Sequence, residues 1–131
     1  GLRFVDKLNT DSDKQKLSLA AVELAQSLDA RCIVVITRRG VMADLVCNCR
    51  PVYSDIYAFT NVSQARRTMV MGRGIRPFRI AFSQDPEKTL QTAFNVLKER
   101  EGFQSEEKVV VISDVLAGSG KIDAIQIRHL P

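Results

Sequence analysis

An open, mostly parallel α/β sheet with helices on both faces is the fold class this sequence predicts, and three observations predict it. Short, continuous, β-branched runs recur along the 131 residues, as in strands buried on both faces. Between them lie stretches whose apolar residues repeat every three or four positions, the period of one helical face. Glycine, proline or a short polar residue punctuates each junction. With 45% hydrophobic content, a chain this long buries roughly two-thirds of the surface its unfolded form exposes, which suits a single domain.

Residues 1–12 are less patterned and read as a tail or the remnant of a preceding segment, leaving the domain at 13–131. From Asp11 to Ala30, Leu17, Ala20, Ala21, Leu24, Ala25 and Leu28 recur at helical steps. Cys32 to Thr37 then reads as a central parallel strand. Gly40 opens a helix over Val41–Cys49, and Arg50-Pro51 closes it because a residue before proline avoids helical angles. Ser54–Thr60 is a second strand, and Asn61 is the expected N-cap of a helix that passes Ala65 and Met69 to end near Gly72 or Gly74. Pro77–Phe82 is a third strand. Asp85-Pro86-Glu87 supplies an N-cap, a proline at the first helical position and an acid in the first turn of a helix reaching Glu101, which Gly102 stops. Val109–Ser113 is a fourth strand. Ile122, Ala124, Ile125 and Ile127 make a fifth, and the short loop before it favours an antiparallel pairing.

Composition narrows the function classes. No apolar run approaches the roughly 18 residues of a membrane span, and the N-terminal residues lack a secretory apolar core, so a soluble, cytoplasmic protein is expected, with no membrane partner. Cys32, Cys47 and Cys49 are an odd number and read as reduced thiols. Cys47-Asn48-Cys49 is too closely spaced for a zinc knuckle, and His129 is the single histidine, so no metal is expected. Between positions 38 and 79, Arg38, Arg39, Arg50, Arg66, Arg67, Arg73, Arg76 and Arg79 face only Asp44 and Asp55. All eight cations are arginine, which suits bidentate recognition of phosphate or carboxylate. An anion site, a subunit interface and a solvated basic face remain open for that stretch. Six phenylalanines, two tyrosines and no tryptophan leave few stacking platforms, so nucleic acid is not an expected partner.

Ligands of an open α/β sheet bind beyond the carboxyl ends of its strands, where helix N-termini favour anions. Two loops qualify. Thr37, Arg38, Arg39 and Gly40 offer a hydroxyl, two guanidinium groups and a glycine that lets the backbone approach a phosphate. Gly118, Ser119, Gly120 and Lys121, after the Val109 strand, offer two glycines, a hydroxyl and an ammonium. Neither matches a nucleotide-binding fingerprint. Catalytic groupings are poor: His129 has no nucleophile or orienting acid nearby, and Glu106-Glu107 read as a solvated turn. Asp114, at a strand's carboxyl end, is the one acid placed for catalysis, although a loop-bracing role fits it better. A small enzyme built around Asp114 and Lys121 therefore stays beside a binding module as the alternative.

The succession Ala30-Arg31-Cys32-Ile33-Val34-Val35-Ile36-Thr37, Arg38-Arg39-Gly40, Ala43-Asp44-Leu45-Val46 and Arg50-Pro51 resembles the C-terminal domain of pyruvate kinases. That family has an apolar strand, Thr-x-Ser-Gly-x-Ser, a helix with Ala-x-x-Val, and Tyr-Arg-Pro. Ala65-Arg66, Arg73-Gly74-Ile75-Arg76-Pro77 and Gly118-Ser119-Gly120 are similar to its later elements in order and spacing, so that the likeness covers about Leu17 to Pro131. The resemblance implies an effector-binding and subunit-assembly domain of an enzyme converting phosphoenolpyruvate and ADP to pyruvate and ATP. It implies a phosphorylated effector held by Thr37, Arg38, Arg39 and Gly40 and closed over by Gly118, Ser119, Gly120 and Lys121. It further implies a barrel domain as partner, a homotetramer, and magnesium and potassium sites outside this chain, which carries no cofactor and no catalytic residue. Arg39, Val41 and Met42 stand where the family offers serines, which removes hydroxyl donors for fructose bisphosphate and leaves a differently shaped anion, or no effector at all, as alternatives.

Overall fold

The computed structural model describes the backbone at residues 2–49, 55–70, 74–117, 120–121 and 123–131, and the side chains there except at 2–12, 69–70, 116–117 and 120–121. Four helices, α1 (Leu2–Ser27), α2 (Val41–Cys49), α3 (Ser63–Val70) and α4 (Pro86–Arg100), alternate with β1 (Ile33–Ile36), β2 (Ile56–Thr60), β3 (Ile75–Arg79) and β4 (Lys108–Ser113). A short hairpin, β5 (Leu116–Ala117) and β6 (Gly120–Lys121), precedes β7 (Ala124–His129). The five-stranded sheet runs β3-β2-β1-β4-β7. Its first four strands pair in parallel, and β7 lies antiparallel to β4, as the short loop before it led one to expect.

The order of the strands explains the layering. Passing from β1 to β2 to β3 moves outward in one direction, and the step from β3 to β4 returns past β1. Right-handed crossovers therefore carry α2 and α4 to opposite faces. Ile33, Val35, Ile56, Ala58, Val110 and Ile112 pack under α1 and α2, while Val34, Ile36, Tyr57, Phe59, Val109 and Val111 pack under α4. Alternate residues of each strand thus serve opposite cores, so these strands are continuously apolar. On α4, Leu90, Ala93, Phe94 and Leu97 form the buried stripe, at the three- and four-residue steps of one helical face. Burying a side chain such as Phe94 contributes about 1.5–3 kcal/mol.

Local signals fixed most of the ends. Asp85 caps α4 by accepting from the Glu87 N–H at 3.0 Å, with Pro86 at the first helical position. Gly102 has φ of 74°, the left-handed geometry that stops a helix at little cost to glycine. Arg128 on β7 donates to Glu87 at 3.0 Å and, with Gln91, holds its carboxyl below the usual range, clamping α4 to the last strand.

Three boundaries differ from the sequence expectation. Helix α1 begins at Leu2, upstream of the amphipathic stretch; no glycine or proline interrupts residues 2–27, and helix propagates readily once nucleated. Asn61 does not cap α3: the helix starts at Ser63, and the Asn61 side-chain oxygen is buried without a hydrogen-bond partner among the described residues, the preceding Thr60 hydroxyl having taken the Val62 N–H at 3.1 Å. Pro77 sits inside β3 rather than at its start. β3 is an edge strand, where the missing N–H of proline is tolerated and guards against stray strand pairing. The expectations at Arg50-Pro51, Gly72 and Ile122 lie outside the described residues.

Candidate functional site

β1 and β4 are neighbours whose chains depart in different directions, so their carboxyl ends form the switch point at which α/β sheets hold ligands. Ile36 is level with Ser113, and the Asp114 N–H donates to the Ile36 carbonyl at 3.3 Å. Both candidate loops leave the sheet at this end. The Thr37 to Gly40 turn follows β1, and the β5–β6 hairpin follows β4.

The turn after β1 is braced from inside. Thr37 is fully buried; its N–H donates to the Phe59 carbonyl at 3.0 Å, and its hydroxyl accepts from the Gly40 N–H at 3.3 Å. Thr60, buried at the end of β2, donates to the Arg38 carbonyl at 2.7 Å. Gly40 has φ of 88°, a conformation that a side chain would strain, and its carbonyl accepts from Asp44 in the first turn of α2 at 3.1 Å. Thr37 therefore shapes the turn, while Arg38 and Arg39 stand exposed from it. Neither arginine has an ion-pair partner among the described residues, in contrast to Arg31, Arg76 and Arg128, each of which meets a carboxylate.

Beside this turn a cleft of about 50 Å³ is lined by Arg38, Ser83, Thr89, Val111, Ser113 and Gln126, among others. That volume is well below the roughly 300–1,000 Å³ of drug-sized ligand pockets, and Ile36, Phe82, Pro86, Leu90 and Val115 make much of its wall apolar, with Arg38 the cation on it. Thr89 and Ser83 satisfy each other, the Thr89 hydroxyl accepting from the Ser83 N–H at 2.8 Å. Asp85 satisfies the start of α4. The unspent positive charge of the cleft is thus that of Arg38, with Arg39 beside it.

Of the second candidate loop, Gly120 and the backbone of Lys121 belong to β6; Gly118, Ser119 and the side chain of Lys121 lie outside the described residues. The foot of that hairpin is held by a group the sequence did not disclose. Lys14 on α1 lies 3.4 Å from Asp114 and 3.6 Å from Asp123, with the Lys14 and Asp114 side chains only 11% and 10% exposed. Asp114 thereby braces α1, β4 and the entry to β7. Lys14 gave no signal because Asp114 stands 100 positions away. Thr60 was legible only as a strand residue.

No group of three or more His, Cys, Asp or Glu side chains converges among the described residues. His129 is exposed on β7, level with Lys108. Burial pushes the Cys32 thiol well above its ordinary range, so it is not a nucleophile at neutral pH. A hollow of about 280 Å³ opens at the amino ends of β1 and β2 beside Asp29, Arg31 and Asp55, but Arg31 is shared there between Asp55 and Glu107 at 3.6 and 3.7 Å, leaving no cation to spare. No helix among the described residues is long and apolar enough to cross a membrane.

Residues 15–128 match the family model described as the pyruvate kinase alpha/beta domain. Over 122 residues the chain is 33% identical to pyruvate kinase isozyme A, chloroplastic, of Nicotiana tabacum, a match covering 93% of this chain and 19% of that protein. It is 28% identical over 113 residues to pyruvate kinase 2 of Synechocystis, covering 86% of this chain and 19% of the relative. Its fold is similar to that of Cryptosporidium parvum pyruvate kinase, solved in complex with ADP, with a TM-score of 0.80 at 24% identity over 90% of this chain and 24% of that one. The chain spans about one-fifth of the length of these relatives.

Proposed function

Because the chain belongs to the pyruvate kinase family as its α/β domain, we propose that it is the regulatory and assembly domain of a pyruvate kinase and that its switch-point turn receives a phosphorylated effector. The intact enzyme, on this reading, transfers the phosphoryl group of phosphoenolpyruvate to ADP in a barrel domain outside this chain. The magnesium and potassium of that chemistry sit in the barrel as well, and this chain alone is inactive. Subunits associate as a tetramer through this domain. The relatives named as chloroplastic put a plastid beside the cytoplasm as the compartment.

One observation carries the effector reading: Arg38 and Arg39, without an ion-pair partner among the described residues, stand on an internally braced turn at the switch point. Bracing matters because Thr37, Thr60 and Gly40 fix the backbone before a ligand arrives, so little ordering opposes binding. An anion there meets two guanidinium forks and the start of α2, each suited to phosphate oxygens. Gly118, Ser119, Gly120 and Lys121 close over it from the β4 side. The small cleft beside Arg38 and the apolar Val41 and Met42 favour a compact anion over fructose bisphosphate. Such a ligand changes activity only as far as it binds the enzyme's quaternary states unequally, typically by about 1–3 kcal/mol.

The test uses the full-length enzyme that contains this domain. Saturation by phosphoenolpyruvate is measured with inorganic phosphate, sugar monophosphates and fructose bisphosphate, in the parent and in Arg38→Gln/Arg39→Gln. A half-saturation shift of about five- to 150-fold that disappears in the variant supports the proposal. An equal shift in both proteins refutes the site, and no shift with any of these anions refutes the effector role.

A further inference from the structure

Away from the switch point, α3, β3 and the end of α4 enclose a hollow of about 430 Å³ lined by Ser63, Arg66, Arg67, Phe78, Arg79 and Arg100. We propose that this hollow is a second, separate anion site, built for a small molecule bearing several phosphate groups.

The charge balance carries the inference. Among the described residues, Arg66, Arg67, Arg79 and Arg100 form no ion pair and no carboxylate lines the hollow. The acid that follows Arg100, Glu101, is engaged by Arg76 at 3.5 Å. Four guanidinium groups from three elements therefore converge without neutralisation. Like charges gathered in this way repel one another, and the repulsion is relieved when an anion enters. Arginine presents a planar fork that takes two phosphate oxygens at once, so four of them match a ligand with three or four negative charges better than one phosphate.

The floor is rigid. Phe78 is half-buried and stacks on Phe59, with ring centroids 5.3 Å apart, so its position is set by the core rather than by solvent. The volume falls within the range of small-ligand pockets, roughly 300–1,000 Å³. A nucleic-acid strand is disfavoured because, among the described residues, Phe78 is the only ring lining the hollow and successive bases need successive stacking surfaces.

Calorimetric titration of the 131-residue chain with sodium tripolyphosphate, at about 0.15 M salt to screen diffuse attraction, tests the proposal. The hollow takes one tripolyphosphate per chain. Arg66→Gln/Arg79→Gln weakens binding by about tenfold or more, as loss of two charge-assisted contacts requires. Arg66→Lys/Arg79→Lys, which keeps charge but loses the forks, gives an intermediate loss. Arg38→Gln/Arg39→Gln stays within about twofold of the parent, separating this site from the switch-point turn. All four arginines are exposed, and a thermal melt confirms that the variants fold. The proposal is overturned by absence of binding at that salt, by equal losses in the Arg66/Arg79 and Arg38/Arg39 variants, or by an oligonucleotide displacing tripolyphosphate at equal phosphate concentration.

Discussion

Replacing Lys14 by methionine should be among the most destabilising single changes that leave both apolar cores untouched. The Lys14 ammonium lies 3.4 Å from Asp114 and 3.6 Å from Asp123, and the Asp114 side chain is only 10% exposed. Removing the cation strands a nearly buried carboxylate, a loss of about 3–5 kcal/mol for a pair of this kind. The entropy of unfolding scales with chain length, so each kcal/mol lowers the melting temperature by about 3–4 °C at this size, or roughly 9–20 °C in all. Asp123, a third exposed, contributes less, and Asp123→Asn should cost about 1 kcal/mol or under. The double variant Lys14→Met/Asp114→Asn removes both charges and should recover most of the loss, to within about 1–2 kcal/mol of the parent. Urea unfolding of the parent, both single variants of the Lys14–Asp114 pair and the double variant yields the coupling directly. A Lys14→Met chain within about 1 kcal/mol of the parent, or a double variant that simply sums the single losses, would refute the reasoning that this ion group anchors the hairpin's foot.

Phe94, fully buried under the sheet, should lose about 3–5 kcal/mol on replacement by alanine, read from the urea midpoint at constant slope. Gly102→Ala meets no atom within 4 Å and suffers only the strain of φ at 74°, so a cost of about 1–2 kcal/mol is expected, without a change of core spectroscopy. Burial holds the Cys32 pKa above its ordinary value of 9.0, so the folded chain keeps a proton that the unfolded chain gives up. The thiol's contribution is complete below about pH 9 and is lost as pH climbs past it. Urea midpoints between pH 8 and 10.5 should fall less steeply in Cys32→Ala than in the parent, and an equal slope would contradict this account.

The sheet was legible because its signals are local. Ile33 to Ile36, Ile56 to Thr60 and Lys108 to Ser113 are each continuous runs, and Asp85-Pro86 and Gly102 mark the ends of α4 through backbone chemistry confined to a few residues. Two misplacements arose where a neighbour decided the outcome. Thr60 captured the Val62 N–H and displaced Asn61 as a cap, and the edge position of β3 admitted Pro77 into the strand. The candidate site was half legible: Arg38, Arg39 and Gly40 announced an anion loop by type and order. The inward use of the Thr37 hydroxyl and the support from Thr60 depend on strand pairing. Lys14 joins Asp114 and Asp123 only in the folded chain, across a separation that no local pattern spans. The arginines at positions 66, 67 and 79 were visible as excess charge; their convergence with Arg100 required the return of α4 across the sheet.

Amide chemical-shift mapping during titration of inorganic phosphate and sugar phosphates bears most directly on the switch-point reading. The account predicts that the largest saturable shifts fall on Arg39, Gly40, Val41 and the residues after Ser113, and that they vanish in Arg38→Gln/Arg39→Gln while the fold is kept. Saturable shifts centred at the amino ends of the strands, around Asp29 and Asp55, or unchanged shifts in that variant, would contradict it.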